Sequence, residues 1–289
     1  MRFRFPDARS SFLFSGSRTD IMKVNERPIG IFDSGLGGLT VYKAVRDLMP
    51  GENLIYFGDT ARVPYGTKSE RAVVAFSKEI AACLFSKKIK FLIVACNTAS
   101  SLALAEIRKI SPVPVLGVIT PGVGAALALT PRGGTILVTG TAATVASGAY
   151  SKALCAARPD VRVIEKACPL FVPLVEEGWC SKPLAGLVAE EYLSGFRNRK
   201  IDSVILGCTH YPLLKKVIGR VLGPRARIVD SARAAASAAH LELSGRGLLN
   251  PARGRGTGVF MVSDAPQRFS ALAMRLLKLR TGEVTVKRF

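Results

Sequence analysis

The heptapeptide "LGCTHYP" (206–212) sets a thiol, a hydroxyl and one of the chain's two histidines at consecutive positions, Cys208, Thr209 and His210, directly after the apolar run "SVIL". A similar arrangement stands 112 positions earlier, where "FLIVACNTASSLAL" carries Cys96, Asn97 and Thr98 between a buried-type run and a helical pattern. The thiolate is the reactive form of cysteine, and helix N-termini or nearby cations favour it. Both cysteines stand where a strand would feed the first turn of a helix, so both could act as acid, base or nucleophile. The other four lack that setting. Cys83 and Cys155 fall inside helical patterns, while Cys168 and Cys180 adjoin Pro169 and Trp179 in less regular sequence, and they read as small hydrophobes. A metal site is not expected: Cys208 and His210 supply two ligands, but there is no second close Cys/His pair, and His240 lies on an Ala-rich helical pattern. A Cys-His hydrolase would leave Cys96 without a role.

Three further stretches carry polar groups that chemistry could use. "FDSGLGG" (32–38) is a glycine-rich turn after a strand, without the full G-x-G-x-x-G or the acidic residue of a dinucleotide site. Asp33 and Ser34 there could cap a helix, and a loop of exposed N–H groups could hold a carboxylate. "RVPYGTKS" (62–69) reads as a turn whose Tyr65 packs, and Glu176 and Glu177 in "CPLFVPLVEEG" (168–178) read as solvated charges at a helix end.

These residues need a scaffold, and the hydropathy pattern supplies one. From residue 27 onward, short β-branched runs alternate with longer amphipathic ones, as in βα units around a parallel sheet. Strands are expected over 28–33, 53–59, 91–96, 113–118, 135–140, 161–167, 203–208, 226–231 and 258–264, and helices over 38–48, 69–87, 99–109, 121–129, 142–156, 182–194, 211–221, 231–241 and 265–277. The strand runs are continuously apolar, which implies sheets covered on both faces. Ligands of such sheets bind beyond the carboxyl ends of the strands, where Asp33-Ser34, Asn97-Thr98, Thr139 to Thr141 and Thr209 gather. A Gly/Pro-rich loop over 245–258 is the most linker-like stretch.

At 289 residues the chain has room for two domains or one large α/β unit, and no apolar run approaches the roughly 18 residues of a membrane span. Forty-one Lys and Arg against 21 Asp and Glu give a formal charge of +20, but the basic residues are spread without aromatic interleaving. That pattern suits a solvated surface that attracts small anions better than a nucleic-acid interface. Six cysteines without a CxxC pair, in a chain this large, fit a reducing cytoplasm. The first 26 residues lack the apolar core of a secretory signal and read as a flexible extension.

Taken in order, "PIGIFDSGLGGLTV" (28–41), "YFGDTARVPYGTKS" (56–69), "VACNTAS" (94–100), "TGTAATVASGAY" (139–150), "CPLFVPLVEEG" (168–178) and "LGCTHYPLL" (206–214) resemble the cofactor-independent glutamate racemases of the aspartate/glutamate racemase superfamily. The resemblance runs from residue 28 to about residue 270. It implies two pseudo-symmetric parallel-sheet α/β lobes with the active site between them, a first lobe from 27–119 with 231–289 and a second from 120–230. It implies that Cys96 and Cys208 are the two acid/base groups, Cys96 acting on D-glutamate and Cys208 on L-glutamate. Asp33 and His210 would manage their protons, with Glu177 or its neighbour Glu176 assisting His210. Asp33, Ser34, Tyr65, Gly66, Asn97, Thr98, Thr209 and His210 would bind substrate. No PLP, other cofactor or metal is implied, and the product would be D-glutamate for peptidoglycan, hence for cell-wall biogenesis and cell shape. Some members need a cell-wall precursor as activator or bind DNA gyrase, and a homodimer is open to the family. Two other readings stand beside this one: a racemase of aspartate or another acidic amino acid, and a basic nucleic-acid- or gyrase-binding protein on a racemase scaffold.

Overall fold

A computed structural model describes residues 24–252 and 254–289. The expected extension over 1–26 lies outside the described residues except for its last three positions. In chain order the elements are β1 (Ile29–Asp33), α1 (Leu39–Leu48), β2 (Leu54–Gly58), α2 (Glu70–Ser86), β3 (Phe91–Val94), α3 (Asn97–Leu102), α4 (Leu104–Ile110), β4 (Val115–Gly117), α5 (Ile119–Leu129), β5 (Thr135–Gly140), α6 (Ala142–Ala146), α7 (Ala149–Ala157), β6 (Arg162–Ala167), α8 (Phe171–Glu176), α9 (Pro183–Leu193), β7 (Ser203–Gly207), α10 (Lys215–Leu222), β8 (Arg227–Val229), α11 (Ser231–Gly245), β9 (Gly258–Val262), α12 (Pro266–Leu277) and β10 (Val284–Val286).

The strands form two parallel sheets, ordered β10-β9-β2-β1-β3-β4 and β6-β5-β7-β8. Four strands of the first sheet repeat in the second: β4-β3-β1-β2 matches β8-β7-β5-β6, each strand shifted by four in number. The chain is therefore α/β with two copies of one strand order, and β9 and β10 extend the first copy beyond β2. Cys96 follows β3 and Cys208 follows β7, which are equivalent strands in this scheme.

Alternation of side chains along a strand divides each apolar run between two cores. In the first sheet Ile29, Ile31, Tyr56 and Ile93 pack under α1, α11 and α12, while Phe32, Phe57, Leu92 and Val94 pack under α2. In the second, Leu137, Val204 and Leu206 face α8, α9 and α10, while Ile136, Val138 and Ile205 face α5 and α7. Among the described residues no helix is long and apolar enough to cross a membrane.

Three local departures from the sequence expectation have physical causes. The helix expected over 142–156 is two helices, because Gly148 adopts a left-handed φ of +60° between α6 and α7. The helix expected over 99–109 starts earlier, at Asn97, and breaks at Ala103, whose φ is −114°. The stretch after Cys168, irregular by its prolines, holds the short helix α8; Pro173 sits in its first turn, where an N–H has no helical partner to lose.

Candidate active site

The carboxyl ends of β1, β3, β5 and β7 meet around one small cavity. Ser34, Tyr65, Gly66, Cys96, Asn97 and Thr98 reach it from the first sheet, and Thr209, His210 and Cys208 from the second. Pro64, Thr141 and Val172 complete the lining. A larger open groove beside α1 and α11 has neither cysteine nor histidine in its wall, so the paired reactive groups belong to the smaller cavity.

Cys96 caps α3 through its sulfur, which accepts from the Ala99 N–H at 3.5 Å, while its S–H donates to the Ser34 hydroxyl oxygen at 3.7 Å. A helix start was expected to favour the thiolate. The reverse holds: burial, reinforced by the charge of Asp33, pushes the Cys96 thiol up to about 12, and the hydrogen bonds with Ala99 and Ser34 offset only part of that. Cys96 is therefore a thiol at neutral pH. Cys208, by contrast, does not open a helix directly, since a 3₁₀ turn over Tyr211–Leu214 intervenes before α10.

Cys208 has a different neighbourhood. Its sulfur lies 3.8 Å from Nδ1 of His210, whose Nε2 meets Oε1 of Glu176 at 2.8 Å. Burial alone would disfavour the imidazolium, but the hydrogen bonds to Cys208 and Glu176 outweigh it and hold the His210 pKa well above the usual histidine value. His210 is thus a proton store beside Cys208. The expected partner Glu177 needs correction: it is more than half exposed and pairs with Arg268 at 3.2 Å, pointing away from the cavity. Adjacent residues of a helix point about 100° apart, and at the end of α8 only Glu176 is turned toward His210.

Asp33 lies outside the cavity wall, buried beneath it. It accepts from the Gly35 N–H at 3.1 Å and from the Thr209 hydroxyl at 3.2 Å, so it ties the first sheet's glycine loop to the second sheet's cysteine loop. Burial raises its pKa, with His210 acting in the opposite direction. The glycines of "FDSGLGG" serve this approach: a Cβ at Gly37 would stand 2.4 Å from Thr209 Oγ1 and 2.5 Å from His210 Nδ1. Gly66 approaches Thr141 in the same manner, with 2.5 Å to its Cβ. Tyr65 donates its hydroxyl to Asp59, which also accepts from Arg62 and Ser263, so the phenol anchors the 62–67 turn.

The remaining donors converge on the opposite wall. Thr98, Thr141 and Thr144 form a buried ring of hydroxyls 2.9–3.1 Å apart, which joins α3 to α6. Asn97 accepts from the Tyr150 hydroxyl at 2.7 Å, and its amide Nδ2 is buried without a protein partner. Among the described residues no lysine or arginine lines the cavity. An anion held there would be met by N–H and O–H donors and by the imidazolium. Of the lining residues, Pro64, Thr141 and Val172 were not expected as site residues; Thr141 stood only among the polar residues gathered at the strand ends, Pro64 in the turn that carries Tyr65, and Val172 is one apolar residue among many.

Residues 36–239 match the sequence model of the Asp/Glu/Hydantoin racemase family, about 70% of the chain. The chain belongs to the Asp/Glu/Hydantoin racemase family. As a member of this racemase family it is an isomerase, built on two parallel-sheet α/β units. It is 49% identical over 258 residues to the glutamate racemase of Geobacter metallireducens, covering 89% of this chain and 95% of that protein. The crystal structure of the Thermus thermophilus glutamate racemase in complex with β-chloro-D-alanine superposes with a TM-score of 0.83 at 46% identity, over 92% of this chain and 98% of that one. The Francisella tularensis glutamate racemase in complex with D-glutamate superposes with a TM-score of 0.85 at 37% identity, over 91% and 98% of the two chains. The racemase fold thus brings together ten of the eleven residues expected to act or bind, nine at the cavity wall and Asp33 directly beneath it, and leaves Glu177 outside.

Proposed function

We propose that the protein interconverts L- and D-glutamate by proton transfer at Cα between two cysteines. The observation that carries this reading is that Cys96 and Cys208, from equivalent strands of the two sheets, line one buried cavity. Inversion without a redox or carbonyl cofactor needs a base on one face of Cα and an acid on the other. In one direction the Cys96 thiolate takes the Cα proton and the Cys208 thiol returns one to the opposite face; in the other the roles exchange. Each turnover leaves one thiol and one thiolate, and solvent or His210 resets which is which. Asp33 acts beside Cys96, and His210 with Glu176 beside Cys208. A positioned acid or base contributes about 10²–10⁴-fold, so the rest of the acceleration comes from donors around the carboxylates in a dry cavity. Ser34, Tyr65, Gly66, Asn97, Thr98 and Thr209 supply that set, in which Tyr65 and Gly66 act through the turn they form.

Glutamate is favoured over aspartate by the relatives above, all glutamate racemases at 37% identity or more over most of the chain. The reading places the enzyme in the cytoplasm as a source of D-glutamate for peptidoglycan. It also includes a division into lobes at 119/120 and 230/231, supported by α5 packing on the second sheet and α11 on the first.

Incubation of L-glutamate with the protein in D₂O, without PLP or metal and with and without a cell-wall precursor, tests the proposal. The expected product is D-glutamate carrying deuterium at Cα. Absence of both exchange and racemisation under all these conditions would refute it, and Cys96→Ala or Cys208→Ala should each abolish racemisation.

A further inference from the structure

Among the described residues Asn97 is the only side-chain amide that lines the cavity, and something must decide which of its two ends faces the substrate. We propose that Tyr150 is a positioning residue that fixes the Asn97 side chain with its N–H₂ group toward the cavity. This rests on the reading above that Asn97 meets a substrate carboxylate.

The geometry leaves the amide one sensible orientation. Tyr150 is fully buried and, among the described residues, its hydroxyl makes a single hydrogen bond, 2.7 Å to Asn97 Oδ1. Burial keeps the phenol pKa far above its ordinary value, with the neighbouring Cys208 and Glu165 adding to the effect, so the group is a neutral O–H and a donor. Donation to Oδ1 leaves Nδ2, which is buried and without a protein partner, as the free end of the amide. If the amide turned over, the phenol could only accept from Nδ2. Its own hydrogen and Oδ1 would then both lie unpaired, and Oδ1 would confront an incoming carboxylate with a lone pair.

Tyr150 is well placed to hold that setting. It stands on α7 of the second sheet, and Asn97 opens α3 of the first, so the bond crosses between the two units. The ring packs on β7 so closely that a Cβ at Gly207 would lie 3.1 Å from its Cε2. Gly207 precedes Cys208 and Asn97 follows Cys96. One phenol thus fixes the carboxylate donor relative to both acid/base groups.

The test is a double-mutant cycle of Tyr150→Phe, Asn97→Ala and the combination, read as KM and kcat for both enantiomers, with circular dichroism as the folding control. Tyr150→Phe keeps the ring and removes only the donor. It should raise KM about tenfold in both directions, with kcat within about threefold of wild type, because a contact made in ground and transition states alike is weakened. In the Asn97→Ala background the same substitution should change KM by less than about twofold. The Kd of D-glutamate by calorimetry reads the same cycle for any variant too slow to assay. An unchanged KM in Tyr150→Phe, or an equal rise in the Asn97→Ala background, would overturn the assignment, the latter by making Tyr150 a packing residue. A wild-type protein that neither exchanges nor racemises would instead defeat the glutamate racemase reading.

Discussion

Cys96 is protonated at neutral pH because burial and Asp33 hold its thiol at about 12, where a free cysteine lies near 8.5. Only the thiolate attacks an alkylating reagent. In the substrate-free protein the rate of Cys96 modification by iodoacetamide should climb about tenfold per pH unit from roughly pH 7 to 10, while a free cysteine peptide levels off above about pH 9. Peptide mass spectrometry follows both, and a plateau at Cys96 below about pH 10 would contradict this environment. On the other side of the cavity, Glu176→Gln removes the charge paired with His210 and should lower kcat by about 10–100-fold, a fraction of what an acid/base group contributes. Glu177→Gln breaks only an exposed pair with Arg268 and should stay within about twofold. The His210 pKa is higher in the folded chain than the unfolded value of about 6.5, so its stabilising contribution is complete below that pH and fades as pH rises through the folded value. Thermal unfolding should show wild type losing its margin over His210→Gln from about pH 6.5 upward; a margin that grows with pH would reverse the sign of the effect.

At the level of elements, the loops after β1 and β7 interlock because glycine lets them. Gly37→Ala would place a methyl against Thr209 and His210, and overpacking of this kind costs about 1–3 kcal/mol. Denaturant unfolding should register that loss together with a fall in activity. Gly124→Ala on α5 meets nothing within 4 Å and should be neutral or up to about 1 kcal/mol stabilising. The same elements separate what was legible from what was not. Runs such as "FLIVAC" and "SVILGC" announce central strands because parallel sheets are apolar on both faces, and Cys96 and Cys208 were legible because their polar neighbours follow in sequence. β10 stayed hidden as three residues, "VTV", beside a charged tail. Glu176 and Glu177 differ only in the direction each faces, which a one-residue step decides. Tyr150 and Asn97 lie 53 positions apart, and their bond exists only once the two sheets are set together.

The whole molecule carries +20 formal charges, and among the described residues no lysine or arginine enters the cavity. Its positive field therefore gathers anions without holding them, so salt should slow capture while leaving the bound chemistry alone. Raising ionic strength from about 0.02 to 0.5 M, where the screening length shrinks from about 20 Å to a few ångströms, should lower kcat/KM for glutamate several-fold. The rate of modification by uncharged iodoacetamide should hold steady in the same series, and a parallel decline would point to salt acting on the fold. Within this charged body the two sheets repeat one strand order but furnish their cysteines differently, with Ser34 and Asp33 near Cys96 and the His210–Glu176 pair near Cys208. Mirror-image amino acids have equal free energies in water, so the equilibrium constant between them is unity. However unlike the two flanks are, kcat/KM must be the same from either enantiomer. The lopsided furnishing can surface only in how that common ratio is split, with the L- and D-directions differing in kcat and in KM by one shared factor.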